Sequence, residues 1–338
     1  MKRKSIRIGF IGAGSIGSLF GGYLADIKSD VYKIEVIFFC SKEHAAEIRK
    51  NGLKICRNQY IREIKNIEVY ENEKAIAKKI EQDHSFRFDF IFLTTKAYDS
   101  ESAMVQYKAL IDASRWLVIL QNGIGNEEIL EPYCEKSKII RVLTTNGAFL
   151  DKPGRVTHTG EGITNIGFAY LNELSLSTQF KEQAQGELIL LRDLLNLTSL
   201  RTEIAEDIIT KSWEKVLVNI GINALGALTR LPNGKLIESE ELKSIMDGCI
   251  NEAVRVAKSV KIGIEDKNYL KIAYDVARKT AVNKNSMLQD ILNGRQTEIE
   301  FINGRILKLG KKSGIKVPYN SLITYLIRGL ENSVNQFS

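Results

Sequence analysis

Short, continuous apolar runs separated by stretches of helical periodicity dominate the first part of the chain. Ile6 to Ile11, Val36-Ile37-Phe38-Phe39, Phe90-Ile91-Phe92-Leu93, Trp116 to Leu120 and Ile139 to Leu143 are the clearest. Hydrophobicity that is continuous rather than alternating belongs to strands buried on both faces, hence to a parallel sheet with helices on either side. Helical patterns fall between the runs, from about Ser15 to Ile27 and from about Glu43 to Lys50. Two shorter pieces, Arg155 to His158 and Thr164 to Ala169, read as antiparallel strands closing the sheet at its edge. This is the order of a doubly wound α/β domain.

From about Glu203 the strand signals stop. Helical periodicity takes over across Asp207 to Leu228, Leu236 to Val260, Asp266 to Val282, Glu298 to Ser313 and Tyr319 to Leu330, with Gly314 and Pro318 turning the chain between the last two. The expectation is an α/β domain over residues 1–205 followed by an all-α domain over 206–338. No Pro-, Ser- or Gly-rich linker intervenes, so the domains are expected to pack closely and share a cleft. No internal repeat is visible.

Composition adds mainly exclusions. With 338 residues, 44% of them hydrophobic, the chain has ample material for packed cores and none of the bias of disordered or fibrous sequences. Cys40, Cys56, Cys134 and Cys249 stand far apart, in neither a disulfide framework nor a zinc spacing. With 3 histidines a histidine-rich metal site or a Ser-His-Asp hydrolase is unpromising, and no metal is expected. No apolar run approaches the roughly 18 residues of a membrane span. The opening Met-Lys-Arg-Lys-Ser passes straight into a strand, leaving no room for a signal peptide. A cytoplasmic protein is expected. Its 48 Lys and Arg against 41 Asp and Glu give +7, but the two signs are interspersed. Without a basic stripe or an aromatic platform, that balance suits the steering of a phosphorylated or carboxylated small molecule better than nucleic acid.

Gly12-Ala13-Gly14-Ser15-Ile16-Gly17 lies directly between the first strand and the first helix. In such a loop the first glycine permits the turn, the second admits a pyrophosphate to the backbone and the third lets helix and strand pack closely. The N–H groups of the helix N-terminus receive the phosphates. Alone the hexapeptide is weak; in this context it predicts dinucleotide binding. An NAD site wants an acidic residue at the end of the second strand. The chain has Ser41 and Lys42 there, with Glu43 one residue on, and a hydroxyl with an ammonium suits the 2′-phosphate of NADP. Lys96 and Asn122 follow two further strands on the same edge; the plain alternatives are a solvated lysine and an ordinary Asn-Gly turn. Further on, Lys215, Asn219 and Asn223 recur every fourth residue in a helix that is otherwise apolar. They line one face, and unpaired amides are costly to bury, so the stripe is expected to face a cavity; the plain alternative is a solvated face. Asn233, in Leu231-Pro232-Asn233-Gly234, is a turn residue or a further amide for that cavity. Ser286 could N-cap one helix and Glu298 stand in the first turn of the next.

Together these pieces resemble the ketopantoate reductase (2-dehydropantoate 2-reductase) family. The resemblance spans nearly the whole chain and rests on separated motifs in order: Gly12 to Gly17, Thr95-Lys96-Ala97, Gln121-Asn122-Gly123, Lys215 to Asn223 with Pro232-Asn233, and Ser286 to Glu298 with Ile302-Asn303-Gly304. It implies a Rossmann-type domain binding NADP(H), a helical substrate domain and reduction of a small 2-keto acid, with a homodimer left open. By resemblance Lys215 is the catalytic lysine and Glu298 its carboxylate partner. Asn219, Asn223 and Ser286 bind substrate oxygens, with Asn233 in the same cleft. Lys96 and Asn122 contact the cofactor, Asn122 also approaching the substrate. Many members carry arginine where this chain has Ser41-Lys42, and the loop from Lys28 to Lys33 looks longer than usual. With no histidine in any motif, lysine is the credible proton donor to the carbonyl oxygen. A reductase for another branched 2-keto acid and a non-catalytic NADP(H) sensor are the alternatives; a sensor needs no general acid, so Lys215 and Glu298 weigh against it.

Overall fold

The computed structural model describes residues 3–171 and 173–337. The chain divides into two compact units, one holding the chain up to Gln121 together with Asn126–Ile208, the other Asn122–Gly125 and the chain from Ile209 onward.

The first unit is built on an eight-stranded sheet in the order Thr202–Ile204, Thr164–Phe168, Ile139–Thr144, Ser114–Ile119, Phe88–Leu93, Lys4–Ile11, Tyr32–Phe39, Ile67–Tyr70. All neighbours are parallel except Thr164–Phe168 against Ile139–Thr144. The central runs are buried on both faces, as their continuous hydrophobicity requires: Ile8, Phe10, Phe90 and Phe92 on one face and Ile11, Ile91 and Leu93 on the other are inaccessible to solvent. Phe10 stacks on Phe92 at 4.6 Å between centroids and meets Phe38 edge-on at 5.5 Å. Leu19, Phe20 and Leu24 of helix Ser15–Ala25 join this core, as do Leu188, Leu191 and Leu195 of helix Thr178–Asn196. The chain runs outward from Lys4–Ile11 to Ile67–Tyr70 and returns on the other side at Phe88–Leu93. The strand order therefore reverses between Lys4–Ile11 and Phe88–Leu93, and doubly wound sheets leave their ligand crevice at such a point, beyond the C-terminal ends of the strands.

One expectation needs correction. Arg155–Gly160 does not close the main sheet. It belongs to a separate four-stranded sheet, ordered Tyr60–Ile64, Leu53–Arg57, Arg155–Gly160, Gly147–Lys152. Its pairing with Leu53–Arg57 is parallel and joins segments far apart in sequence, which no local pattern reveals. The hairpin partner Tyr60–Ile64 exposes all but Ile64, its Tyr60 and Ile61 included, so it lacks the alternation of a half-buried strand. Thr164–Phe168 does pair antiparallel as expected, but Thr202–Ile204 lies outside it.

The second unit is helical: Asn233–Leu236, Glu240–Ser259, Tyr269–Lys279, Ser286–Leu292, Asn303–Lys312 and Pro318–Phe337 accompany the helix Ile208–Thr229. The latter is apolar on most of its circumference and sits in the middle of the core, with Val216, Leu217, Ile220, Ala224 and Ala227 buried. The run expected from Leu236 to Val260 is interrupted where Ser239 caps Glu240–Ser259, its hydroxyl accepting from Leu242 N at 3.2 Å. The run expected from Glu298 breaks at Ile302, between a single 3₁₀ turn and Asn303–Lys312. Among the described residues no helix is long and apolar enough to cross a membrane.

Two buried histidines fasten helix Ser15–Ala25 to its surroundings. His44 Nδ1 accepts the Gly154 N–H at 2.9 Å, so Nε2 carries the proton and donates to Ser18 Oγ at 2.9 Å. Ser18 in turn donates to the Ala13 carbonyl at 3.1 Å. His158 lies between the Tyr23 hydroxyl at 3.0 Å and Asn146 Oδ1 at 3.1 Å. Burial pushes the His44 imidazole down to about 4, and that of His158 down as well. A histidine that stays neutral when folded but takes a proton when unfolded contributes fully above its ordinary pKa near 6.5. That contribution falls away as pH drops toward 4. For His44 the loss reaches on the order of 3 kcal/mol. Thermal midpoints recorded from neutral pH downward should therefore fall steeply below about 6.5, and less steeply in a His44→Gln variant. Parallel curves would remove His44 from the account.

Candidate functional site

The glycine loop occupies the point of strand reversal. Gly12 turns with φ +76°, and its N–H, like that of Ala13, donates to the Phe39 carbonyl at 3.0 Å. A Cβ on Gly12 would lie 2.4 Å from Thr95 Cγ2 and one on Gly17 2.4 Å from Thr94 Oγ1, whereas Gly14 would meet nothing nearer than the Gly12 carbonyl at 3.8 Å. The outer glycines thus admit neighbouring chain, and the middle one leaves open space. Thr94 Oγ1 donates to the Ile11 and Gly12 carbonyls, both at 2.9 Å. Helix Ser15–Ala25 starts after Gly14 with no side chain capping it, so its first turn offers N–H groups to an anion. Ser15 Oγ accepts from Leu150 N at 3.1 Å and Ile16 is half-buried against the core. This cradle fits a pyrophosphate.

At the end of Tyr32–Phe39, Ser41 caps helix Lys42–Asn51, its hydroxyl 3.4 Å from His44 N; Ser41 and Lys42 are both exposed. Lys96 is half-buried, directly beyond Phe88–Leu93 and Thr94-Thr95. A cavity of about 650 Å³ bordered by Arg3, Lys28, Asp30, Glu35 and Glu68 opens at the opposite, N-terminal ends of the strands and holds none of the candidate residues.

Asn122 is grouped with the helical unit, although it follows a strand of the α/β unit in sequence. Its side chain stands between two charges. Lys215 Nζ donates to Asn122 Oδ1 at 3.0 Å, and Asn122 Nδ2 donates to Glu298 Oε2 at 3.4 Å. A cation on the carbonyl side and a carboxylate on the amino side fix the amide's orientation. Gly123, with φ +88°, makes the turn possible: a Cβ there would come within 2.5 Å of Phe301 Cβ and 2.7 Å of its carbonyl oxygen. Ile124 N donates to that same carbonyl at 3.0 Å. Glu298, 6% exposed, immediately precedes the 3₁₀ turn Ile299–Phe301, so the turn that receives the Asn122–Gly125 segment also presents the carboxylate.

Asn219 and Asn223 follow Lys215 at helical spacing along Ile208–Thr229, half-buried and 6% exposed respectively, and neither makes a side-chain hydrogen bond among the described residues. Asn233 differs: its Nδ2 donates to Thr280 Oγ1 at 2.9 Å and its Oδ1 accepts from Asn285 Nδ2 at 3.4 Å. Ser286 is exposed and does not cap its helix. Asn285 does, accepting from Leu288 N at 2.9 Å, since asparagine is as good an N-cap as serine and stands one residue earlier. The sequence reading passed over Thr94, and quoted Thr95 only as part of a motif; both hold the glycine loop, and two hydroxyl residues closing a buried strand on the loop's own edge were the available signal.

A glycine-loop α/β unit followed by a helical unit with a lysine–amide–carboxylate row is the plan of a two-domain reductase. The chain belongs to the ketopantoate reductase family: the model for "Ketopantoate reductase PanE/ApbA" matches residues 8–169 and that for its C-terminal part residues 207–331. A 2-dehydropantoate 2-reductase of Pyrococcus abyssi is 34% identical over 327 residues, 96% of this chain and 98% of that one. One from Pyrococcus horikoshii is 34% identical over 328 residues, 97% and 98% of the two chains. Among solved structures, a ternary complex of D-mandelate dehydrogenase with NADH and anilino(oxo)acetate is similar with a TM-score of 0.82 and 27% identity, covering 98% of this chain and 100% of that one.

Gly123→Ala should destabilise the protein by roughly 2–5 kcal/mol, adding the left-handed backbone penalty to overpacking against Phe301. Gly186→Ala is the control, because a Cβ there meets nothing within 4 Å. Denaturant midpoints of the two variants should separate clearly; equal midpoints would mean that the Asn122–Gly125 turn has more room than described.

Proposed function

We propose that the protein reduces 2-dehydropantoate to pantoate with NADPH in the cytoplasm, a step toward pantothenate and coenzyme A. The observation that carries this reading is the row Lys215–Asn122–Glu298, whose amide holds an ammonium on one side and a carboxylate on the other. Family membership and the names of the two archaeal relatives support the substrate.

A bound nicotinamide supplies the hydride for the carbonyl carbon. The chain supplies the rest. The N–H groups of Ser15, Ile16 and Gly17, opened by Gly12, Ala13 and Gly14, hold the pyrophosphate. Ser41 and Lys42 hold the 2′-phosphate, where an acidic side chain would repel it. Lys96 and Asn122 steady the nicotinamide half. Lys215 donates a hydrogen bond to the ketone oxygen and passes its proton there as charge develops, so that the carbonyl becomes a secondary alcohol. Asn122 aims the ammonium. Glu298, across the Asn122 amide from Lys215, accepts from the substrate's hydroxyl, the arrangement in which a carboxylate beside an anionic substrate is tolerable. Asn219, Asn223 and Ser286 bind the substrate's oxygens; two buried or half-buried amides with no partner of their own suit that role. Asn233, already engaged by Thr280 and Asn285, supports this set from behind.

A second reading, an NADH-dependent enzyme for another 2-keto acid, draws on the nearly full-length likeness to D-mandelate dehydrogenase. Absorbance at 340 nm with 2-dehydropantoate, phenylglyoxylate and branched 2-keto acids separates the two. The expected result is the highest kcat/KM for 2-dehydropantoate with NADPH, and an erosion of the NADPH preference by about tenfold in Lys42→Glu, the weight of one charge-assisted hydrogen bond. Equal efficiency with NADH in the parent protein would favour the second reading. Lys215→Ala should lower kcat by about 10²–10⁴-fold, roughly 3–5 kcal/mol, while NADPH binding persists. A folded, NADPH-binding variant turning over within about threefold of its parent would mean that water or another group delivers the proton.

A further inference from the structure

Gln121 is 7% exposed and lies just beyond strand Ser114–Ile119, on the edge that carries the glycine loop. Its Nε2 is 2.9 Å from the Thr95 carbonyl and 3.0 Å from Ser100 Oγ, with Thr95 Oγ1 at 3.2 Å and the Lys96 carbonyl at 3.5 Å. A backbone carbonyl only accepts, so the amino end must face Thr95. The oxygen is left toward Ser100 Oγ at 3.3 Å and Asn126 Nδ2 at 3.5 Å. One amide hydrogen thus goes to the Thr95 carbonyl, in the segment that follows Phe88–Leu93, and the other to Ser100 Oγ. That segment presses on the glycine loop: Thr95 N and Cα would stand 2.8 and 2.9 Å from a Cβ on Gly12, closer than any side chain tolerates.

We infer that Gln121 is a positioning residue for nucleotide binding, holding the Thr95–Lys96 segment and, through Thr95, the backbone of Gly12. The inference rests on the reading of this loop as a dinucleotide site. Gln121 touches no phosphate; it fixes the wall against which the phosphate-binding turn is built, and the point from which Lys96 leaves.

The test uses Gln121→Leu, which keeps much of the volume and loses both donors, and Gln121→Glu, which keeps the shape, has no donor while ionised and regains one, the O–H, when protonated. NADPH titration of the full-length proteins should show affinity reduced by about tenfold or more in the leucine variant, the weight of one or two amide hydrogen bonds. In the glutamate variant, affinity relative to the parent at the same pH should recover as acid protonates the carboxyl and lets it donate to the Thr95 carbonyl. A residue that merely held the core together would lower the thermal midpoint without this recovery. Amide hydrogen exchange in nucleotide-free protein should quicken across Thr94 to Ala97 and Gly12 to Gly17 in both variants at neutral pH. NADPH affinity like the parent's, with exchange unchanged, would overturn the inference. If the parent binds neither NADPH nor NADH, the dinucleotide reading falls by itself, and unchanged exchange still refutes the hold on Thr95 while faster exchange upholds it. Should the leucine variant not fold, the pH profile of the glutamate variant decides.

Discussion

Helix Ser15–Ala25 begins with no side chain capping its first turn, and much of the α/β unit is arranged to hold that bare end in place. A missing cap costs a helix about 1 kcal/mol, and any serine or aspartate at Gly14 would supply one. The cap would also fill the space the loop keeps open. Stability therefore comes from the flanks: Thr94 and Thr95 against the outer glycines, the His44–Ser18 pair behind Ala13, Tyr23 on His158, and Ser15 taking the Leu150 N–H from the second sheet. The small sheet, which adds nothing to the doubly wound pattern, acts as a clamp on this helix. An uncapped N-terminus held from the side keeps its partial positive charge directed outward.

The main sheet was legible because its strands are buried on both faces, and burial writes itself into sequence as unbroken apolar runs such as Phe88–Leu93. The second sheet was not. Tyr60–Ile64 exposes four of its five residues, and Arg155–Gly160 finds its parallel partner about a hundred residues away, so the first lacks periodicity and the second lacks a local cue. Helix ends were misjudged for a related reason. Ser239 and Asn285 stop or start helices by side-chain hydrogen bonds to single backbone N–H groups, and such caps hardly disturb the hydrophobic pattern around them.

At the candidate site, what could be read was spacing. Lys215, Asn219 and Asn223 announce a polar stripe because the residues between them, Val216-Leu217-Val218 and Ile220-Gly221-Ile222, are apolar or glycine. The grouping of Asn122 with the helical unit was hidden, because its neighbours Leu120 and Gln121 belong to the other unit and the change depends on a turn at Gly123 against the Phe301 backbone. An Asn-Gly pair reads as an ordinary loop. Only the folded chain brings its amide between Lys215 and Glu298.

Asparagine type alone also cannot separate amides that bind from amides that brace. In the helical unit Asn285 donates to the Ile222 carbonyl, Asn303 to the Ile220 carbonyl and to Asn320, and Asn320 to the Cys249 carbonyl and to Glu252. Glu252 in turn accepts the N–H groups of Tyr319 and Asn320 at the start of the last helix. These amides satisfy main-chain groups or one another, and each loss would strand a buried donor or acceptor at about 1–3 kcal/mol. Asn219 and Asn223 satisfy nothing among the described residues, yet they stand in the same apolar surroundings and on the helix that carries Lys215. The Nδ2 groups of Asn285, Asn303 and Asn320 all find acceptors in the protein, whereas those of Asn219 and Asn223 find none among the described residues. That contrast, rather than their spacing, is the stronger physical argument that they serve a ligand.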